Sequence, residues 1–454
     1  MGLTASHRAR WTSWNYFRFV FPSLIGVFLF LCPVKYGSEL TIPVGILANE
    51  LRWAIGEFMA TFTTCIFVSG AIFTALFNLR STQLNGRFPQ LHTLFSTNWT
   101  WFALRILGGL LALLTFLELG PEWIIGAKTG RTAYIDIAGI IFCILGVASL
   151  LLPLLTDFGF LEFVGAIMRG VFQATFNLPG RATVDTLASW VGASSVAVLV
   201  TIRQYQAGFY SVREACVIAT NFSVVSIPFV VLTAQIAGIG DLFMALYGSM
   251  VGIGIVCAIV TPRLPPLSRL TDRYYEPIGR QIHEEAAADT SRLRWAMNQA
   301  VSRATTAPGW GQMVKEGLSG TADLFFTMMP VSMTIEFICL VTYHYTPVFQ
   351  YVTLPLVPVL NLLQIPEAAA ASPGLVVGLL DQFVPALIAA SIDDKVTSFV
   401  LAGLSVTQLI FFAETGVLIL RSAIPLNTLQ LIGIFFLRTV IALPILALVA
   451  HLVV

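Results

Sequence analysis

The chain has 454 residues, of which 57% are hydrophobic and only 11% charged, and its 25 basic and 24 acidic side chains nearly cancel to +1. A soluble domain carries roughly a quarter charged residues, so this composition excludes a water-soluble globular protein and points to an all-α polytopic membrane protein whose first partner is the lipid bilayer. The balanced charge excludes a broad nucleic-acid footprint, and the six single cysteines (Cys32, Cys65, Cys143, Cys216, Cys257, Cys339), read as buried thiols, form neither a CxxC pair nor a disulfide framework.

In chain order, the basic start with His7, Arg8 and Arg10 followed by apolar Phe19 to Leu31 imitates a signal peptide. Cys32-Pro33-Val34-Lys35 offers no small-residue cleavage site, so the expectation is an uncleaved first helix. Spans are expected near Phe19 to Val34, Trp53 to Leu79, Trp101 to Leu119 and Tyr134 to Leu155, each long enough to cross a bilayer. Arg80 and Arg87 in one connection, and the basic run from Arg263 to Lys315, place these loops and the N-terminus on the cytoplasmic side.

Two stretches do not read as simple spans. The first runs from Phe160 to Gln206: an amphipathic piece (Phe160 to Phe176), a Pro179-Gly180-Arg181 break, then Val184 to Thr201 interrupted at Gly192-Ala193-Ser194-Ser195. The second, from Pro347 to Lys395, repeats that order with Val348 to Leu363, a break at Ile365-Pro366, and Leu375 to Ser391 interrupted at Asp381-Gln382 and Pro385. Each apolar part is the length of two half-helices and precedes a full span, Val212 to Ile236 and Val396 to Leu420. The pattern predicts two re-entrant hairpins in a repeat about 185 residues apart. Three intervening crossings invert the second unit relative to the first, the arrangement of secondary transporters that bind solute at the midplane.

The chain thus divides into four N-terminal helices (1–155), a first unit (156–240), a helix (241–261), a cytoplasmic amphipathic segment (262–320), a helix (321–345), a second unit (346–424) and a C-terminal helix (425–454). That gives about nine spans plus the two hairpins. Within the cytoplasmic segment, Tyr274 to Ala304 reads as an amphipathic helix on the membrane surface.

The segment from Leu178 to Ser195, with Ala207 to Ala215 and Ala219 to Ser223, resembles the nucleoside-recognition Gate-domain family of bacterial inner-membrane proteins, and Asn15 to Gly26 resembles the start of its YjiH-like branch. The resemblance implies a core like that of concentrative nucleoside transporters and a location in the bacterial cytoplasmic membrane; it implies a transporter-like architecture more strongly than any one substrate.

Ionisable groups at membrane depth cost about 2.5 to 3.5 kcal/mol each on insertion scales, which singles out a few residues. Glu414, beside Thr415 in the span after the second hairpin, is expected to bind a substrate hydroxyl or amine, or a coupling ion. Asp381 and Gln382 fall at the turn of the second hairpin, where they would supply oxygen ligands or where Asp381 would cap a helix. Ser194 and Ser195 fall at the turn of the first hairpin, with Asn221 and Ser223 in the span after it, and suit a neutral polar ligand. Arg438 is expected to pair with Glu336 or Glu414, or to meet an anion, and Glu57 to be a satisfied helix contact. Gly238-Ile239-Gly240-Asp241 matches the GxGD of intramembrane aspartyl proteases, but no Tyr-Asp pair accompanies it and Asp241 falls at a helix start. HExxH, GxSxG and P-loop motifs are absent, so neither an enzyme nor an ATP-driven pump is indicated.

Together these features predict a secondary-active transporter of a small polar metabolite by alternating access, without cofactor or bound metal and coupled to Na+ or H+. The alternative is a membrane subunit that regulates or assembles with a partner. A homo-oligomer or a partner subunit is compatible with either.

Overall fold

The computed structural model describes residues 11–36, 39–79, 89–180, 182–191, 194–222, 225–276, 278–280, 291–413 and 415–454. Among these the fold is helical throughout apart from one small antiparallel pair, Val34–Tyr36 with Glu39–Thr41. Seven helical stretches are long and apolar enough to cross a membrane: Ser13–Leu31, Pro43–Leu79, Trp99–Phe116, Thr132–Thr156, Gly240–Arg263, Trp310–Tyr345 and Thr428–Val453.

The long helices bury one face and leave the other apolar as well, as lipid permits and water does not. In α1 (Ser13–Leu31), Phe19, Gly26 and Phe30 are buried while Phe17, Phe21, Leu24 and Phe28 stay exposed. Four cysteines are buried as expected; Cys32 and Cys65 lie on this exposed surface. Since lipid tails are as apolar as leucine, helices here associate through close packing at small residues. α2 (Pro43–Ile55) and α3 (Met59–Leu79) meet at Gly56, whose φ of +53° suits glycine. α4 (Trp99–Phe116) packs against α3 through Gly109, where a Cβ would lie 2.9 Å from the Phe67 carbonyl oxygen. Its other face carries Gly108, whose Cβ would lie 2.5 Å from Thr334 Oγ1 and 2.7 Å from the Pro330 carbonyl oxygen. A π-helical stretch, Thr132–Ile137, leads into α5 (Ala138–Leu151).

α6 (Phe160–Phe176) ends at Asn177 in the left-handed conformation, and α7 (Ala182–Val191) and α8 (Ser194–Gln206) follow. The span expected from Val212 to Ile236 is two helices, α9 (Val212–Asn221) and α10 (Ile227–Ile236). Pro228 in the first turn of α10 favours a helix start there, because its ring would clash with a preceding helical turn. α11 (Phe243–Val260) is unbroken.

The hydrophilic segment differs from its expected form. The helix α12 begins at Arg292, not Tyr274, and ends at Thr306. It does not float on the membrane: Ala300, Val301 and Ala304 bury against Phe19 and Phe163. α13 (Trp310–Asp323) starts inside the stretch expected to be cytoplasmic and continues through π-helical Leu324–Met328 into α14 (Met329–Tyr345).

Arg303 of α12 reaches Asp157 at 3.4 Å and Glu162 at 3.5 Å. Burial pushes both carboxyls above their usual range, while Arg303 pulls them back. For acids raised in the fold, protonation on acidification favours the folded state, and the attraction to Arg303 disappears with the charge. Arg303→Ala is therefore expected to lower stability by under about 1 kcal/mol at neutral pH, since these pairs are partly exposed. The difference in Tm from the parent should narrow as the pH falls through the carboxyl range.

After short helical pieces at Val348–Leu362, Ala368–Ala371 and Gly374–Val377, α15 spans Val384–Ala390 and α16 Lys395–Thr407. The span expected from Val396 to Leu420 is also broken: α17 (Thr415–Leu420) starts beyond an irregular stretch, and α18 (Thr428–Val453) closes the fold. Seven of the nine expected spans are thus continuous, and the two that follow the hairpin-like stretches are each split in half.

Candidate functional site

The two broken spans define the polar interior. α8 packs against α17, and α15 and α16 pack against α10, so the helices of the two broken spans are packed together with the pieces that precede them.

Arg438 of α18 is 1% exposed and sits where two helices end. Its Nε and Nη2 donate to the Thr407 carbonyl at 3.0 and 2.7 Å, and its Nη1 donates to Asn221 Oδ1 at 2.9 Å. Thr261 donates to the same Oδ1 at 2.6 Å, while the Asn221 amide donates to the Val217 carbonyl and the Thr220 hydroxyl. Thr407 and Asn221 are the last residues of α16 and α9, and helix C-termini present unpaired carbonyls and a partial negative charge. The guanidinium is neutralised by two helix ends. The Arg438–Glu336 pair expected from sequence does not form, because the carbonyl fork offers Arg438 more hydrogen bonds than a distant carboxylate does.

The same contact accounts for the break after α16. Arg438 occupies the Thr407 carbonyl that the Phe411 N–H would take in a continuing helix, and that N–H turns to Thr415 Oγ1 instead. Leu409 adopts a φ of +62°, and the Phe412 and Ala413 N–H groups donate to the carbonyls of Leu379 and Leu380 at 2.8 and 3.0 Å. The irregular stretch is thereby laid along the turn between the Gly374–Val377 helix and α15.

Around that turn, Gln408 donates to the Leu375 carbonyl at 3.0 Å and to Thr439 at 2.9 Å, and Ser405 donates to the Gln382 carbonyl. Asp381, 1% exposed, accepts from the Phe383 N–H and from Ser332 of α14, both at 2.8 Å. Asp381 Oδ1 closes the turn ahead of α15, whose N-cap is Phe383 without a side-chain cap, and its second oxygen accepts from α14. Glu336, one turn beyond Ser332, is fully buried, and neither of its oxygens has a partner among the described residues. Gln382 Oε1 and Gln408 Oε1 are likewise buried and unpartnered. Buried acceptors are ordinarily satisfied, so these four unmet oxygens, on α14, on the turn before α15 and just after α16, are each open to a hydrogen-bond donor or a cation.

Of the residues singled out from sequence, Asp381 and Gln382 meet at this turn. Thr415 is buried beside it and bonded to the Leu409 carbonyl. Asn221 joins through Arg438. The side chains of Ser194 and Ser195, and residues Ser223 and Glu414, lie outside the described residues. Sequence reasoning missed Thr261, Ser332, Thr407, Gln408 and Thr439. Ser405, Thr407 and Gln408 within one apolar run are the sequence signal that points to three of the polar groups here. Glu57 is exposed, not a satisfied contact, and borders a groove of about 560 Å3 with Arg52 and Asp136, away from the polar turn. Asp241 pairs with Lys395 at 2.7 Å on the exposed rim.

Residues 138–240 match the Gate family, described as nucleoside recognition. An uncharacterized protein of Alkalihalophilus pseudofirmus is 40% identical over 440 residues, covering 97% of this chain and 95% of its own length. A solved structure of a doubly substituted CNTnw in an outward-facing state aligns over 89% of this chain and 97% of its own at 13% identity and a TM-score of 0.33, a likeness too low to carry an argument.

Proposed function

We propose that this chain, which belongs to a family of Gate-domain membrane proteins, is a secondary transporter that moves a small polar solute of nucleoside type by alternating access. The observation that carries this reading is the set of buried, unmet acceptors on Gln382 of the turn before α15, on Gln408 just after α16 and on Glu336 of α14. An acceptor-rich, water-poor surface complements a ligand rich in donors, and a ribose with its hydroxyls is such a ligand. The packing of the two broken spans together supports the inverted repeat, with discontinuous helices near the midplane where transporters bind. In this reading Ser194, Ser195, Ser223, Asp381, Gln382, Glu414 and Thr415 surround the solute, while Asn221, whose amide is fully bonded, acts only through Arg438. Arg438 holds the helix ends and does not contact an anion.

The test is a thermal-shift screen of purified protein against nucleosides, amino acids, dipeptides and organic anions, with and without Na+. A nucleoside should raise Tm by mass action. Gln382→Leu and Gln408→Leu should each weaken that ligand about tenfold or more, the effect of one lost hydrogen bond of ~1.4 kcal/mol. No shift from any class, with both variants folded, would favour the non-transporting subunit.

A further inference from the structure

We propose that Glu336 and Asp381 together hold one exchangeable proton between α14 and the turn before α15, and that this proton is the coupling ion of the transporter reading above, on which the coupling role rests. Glu336 is 0% exposed and Asp381 1% exposed, and Ser332, one turn before Glu336 on α14, donates to Asp381 at 2.8 Å, which brings both carboxyls to the same junction. The two differ in one respect: Asp381 accepts hydrogen bonds on both oxygens, from Phe383 N–H and Ser332, whereas Glu336 accepts none among the described residues. An ionised carboxylate is stabilised by donors, and a neutral one loses less by lacking them. The hydrogen-bonding therefore assigns the charge to Asp381 and the proton to Glu336, as expected of two carboxyl groups sharing a dry site.

Among the described residues, the groups facing Glu336 offer no competing cation. From its own helix comes Cys339, and from the π-helical Thr132–Ile137 stretch comes Tyr134, whose hydroxyl donates to Thr334. On α4, Arg105 turns to the Leu94 carbonyl, and Asp136 lines the groove beside Arg52. Glu122 and Tyr351 on the remaining neighbouring pieces are exposed, and α15 carries no ionisable group. Ser332 couples proton and solute: it links α14 to Asp381, the residue next to Gln382, so a movement of the turn that takes Asp381 from Ser332 changes what stabilises its charge. The proton then leaves Glu336 for the side to which the turn has opened, and one proton crosses per cycle.

Infrared difference spectra of the full-length protein in lipid, taken across a pH step, read the proton directly. A protonated carboxyl band is expected at neutral pH in wild type, absent in Glu336→Gln and displaced in Asp381→Asn. Glu336→Gln should retain the wild-type Tm because its side chain matches a neutral Glu in shape; Glu336→Asp serves as a second folded variant and should keep a band at shifted position. Equal spectra for wild type and Glu336→Gln, or a Glu336→Gln protein that unfolds while Glu336→Asp shows no band, would overturn the proposal. In vesicles containing a pH dye, an imposed uridine gradient should drive proton flux in wild type and not in Glu336→Gln. A band without flux in either protein would uphold the shared proton and defeat the transporter reading; a flux that persists unchanged in Glu336→Gln would overturn the coupling role.

Discussion

Replacing Arg438 with Met is expected to destabilise the fold by about 1–3 kcal/mol, the cost of leaving buried acceptors without their donor. Met roughly matches the length of the side chain, so cavity formation contributes little. What remains is the Thr407 carbonyl, stripped of two donors, and two helix C-termini whose partial negative charges face each other without a cation between them. Asn221 keeps its bond from Thr261 and is less affected. Arg438→Lys should fall between, because one ammonium cannot reproduce a planar fork spanning Thr407 and Asn221. The check is Tm in detergent for the three proteins. An unchanged Tm for Arg438→Met would mean that the helix ends are held by other contacts.

Gly108→Val is expected to disrupt the packing of α4 on α14. A Cβ at Gly108 meets the Pro330 carbonyl oxygen at 2.7 Å, and backbone cannot swing aside as a side chain can. α4 and α14 must separate, at about 1–3 kcal/mol for overpacking. The separation also moves the helix that carries Ser332 and Glu336, so ligand stabilisation should fall together with Tm. Gly248→Val, where a Cβ meets nothing within 4 Å, is the control and should leave both unchanged.

The all-helical, membrane-spanning character of the fold is legible in the composition. Length and hydropathy report whether a helix can cross a bilayer, which is why seven of the nine spans appear as continuous helices. They do not report where a long apolar run stops being helical when the cause is a contact from far along the chain. Nothing near Thr407 in sequence announces that Arg438 will take its carbonyl, and Val396 to Leu420 reads as one span for that reason. The break before Ile227 did have a local sign, Ser226-Ile227-Pro228. Asp381 and Gln382 were visible as polar residues in an apolar context. Their partners Ser332, Ser405 and Gln408 were not, since small hydroxyl residues are common in membrane helices and gain meaning only from what they face. The helix start at Arg292, with its apolar face against Phe19, could not be read from the basic composition of that segment.

The most direct test of the central claim is counterflow in proteoliposomes: vesicles loaded with unlabelled uridine, exposed to labelled uridine outside, for wild type and Gln382→Leu. Transient accumulation in wild-type vesicles, strongly reduced by Gln382→Leu at unchanged Tm, is the predicted result. Absence of counterflow for wild type with uridine and with every ligand that raises its Tm would contradict the assignment of this polar turn as a transport site.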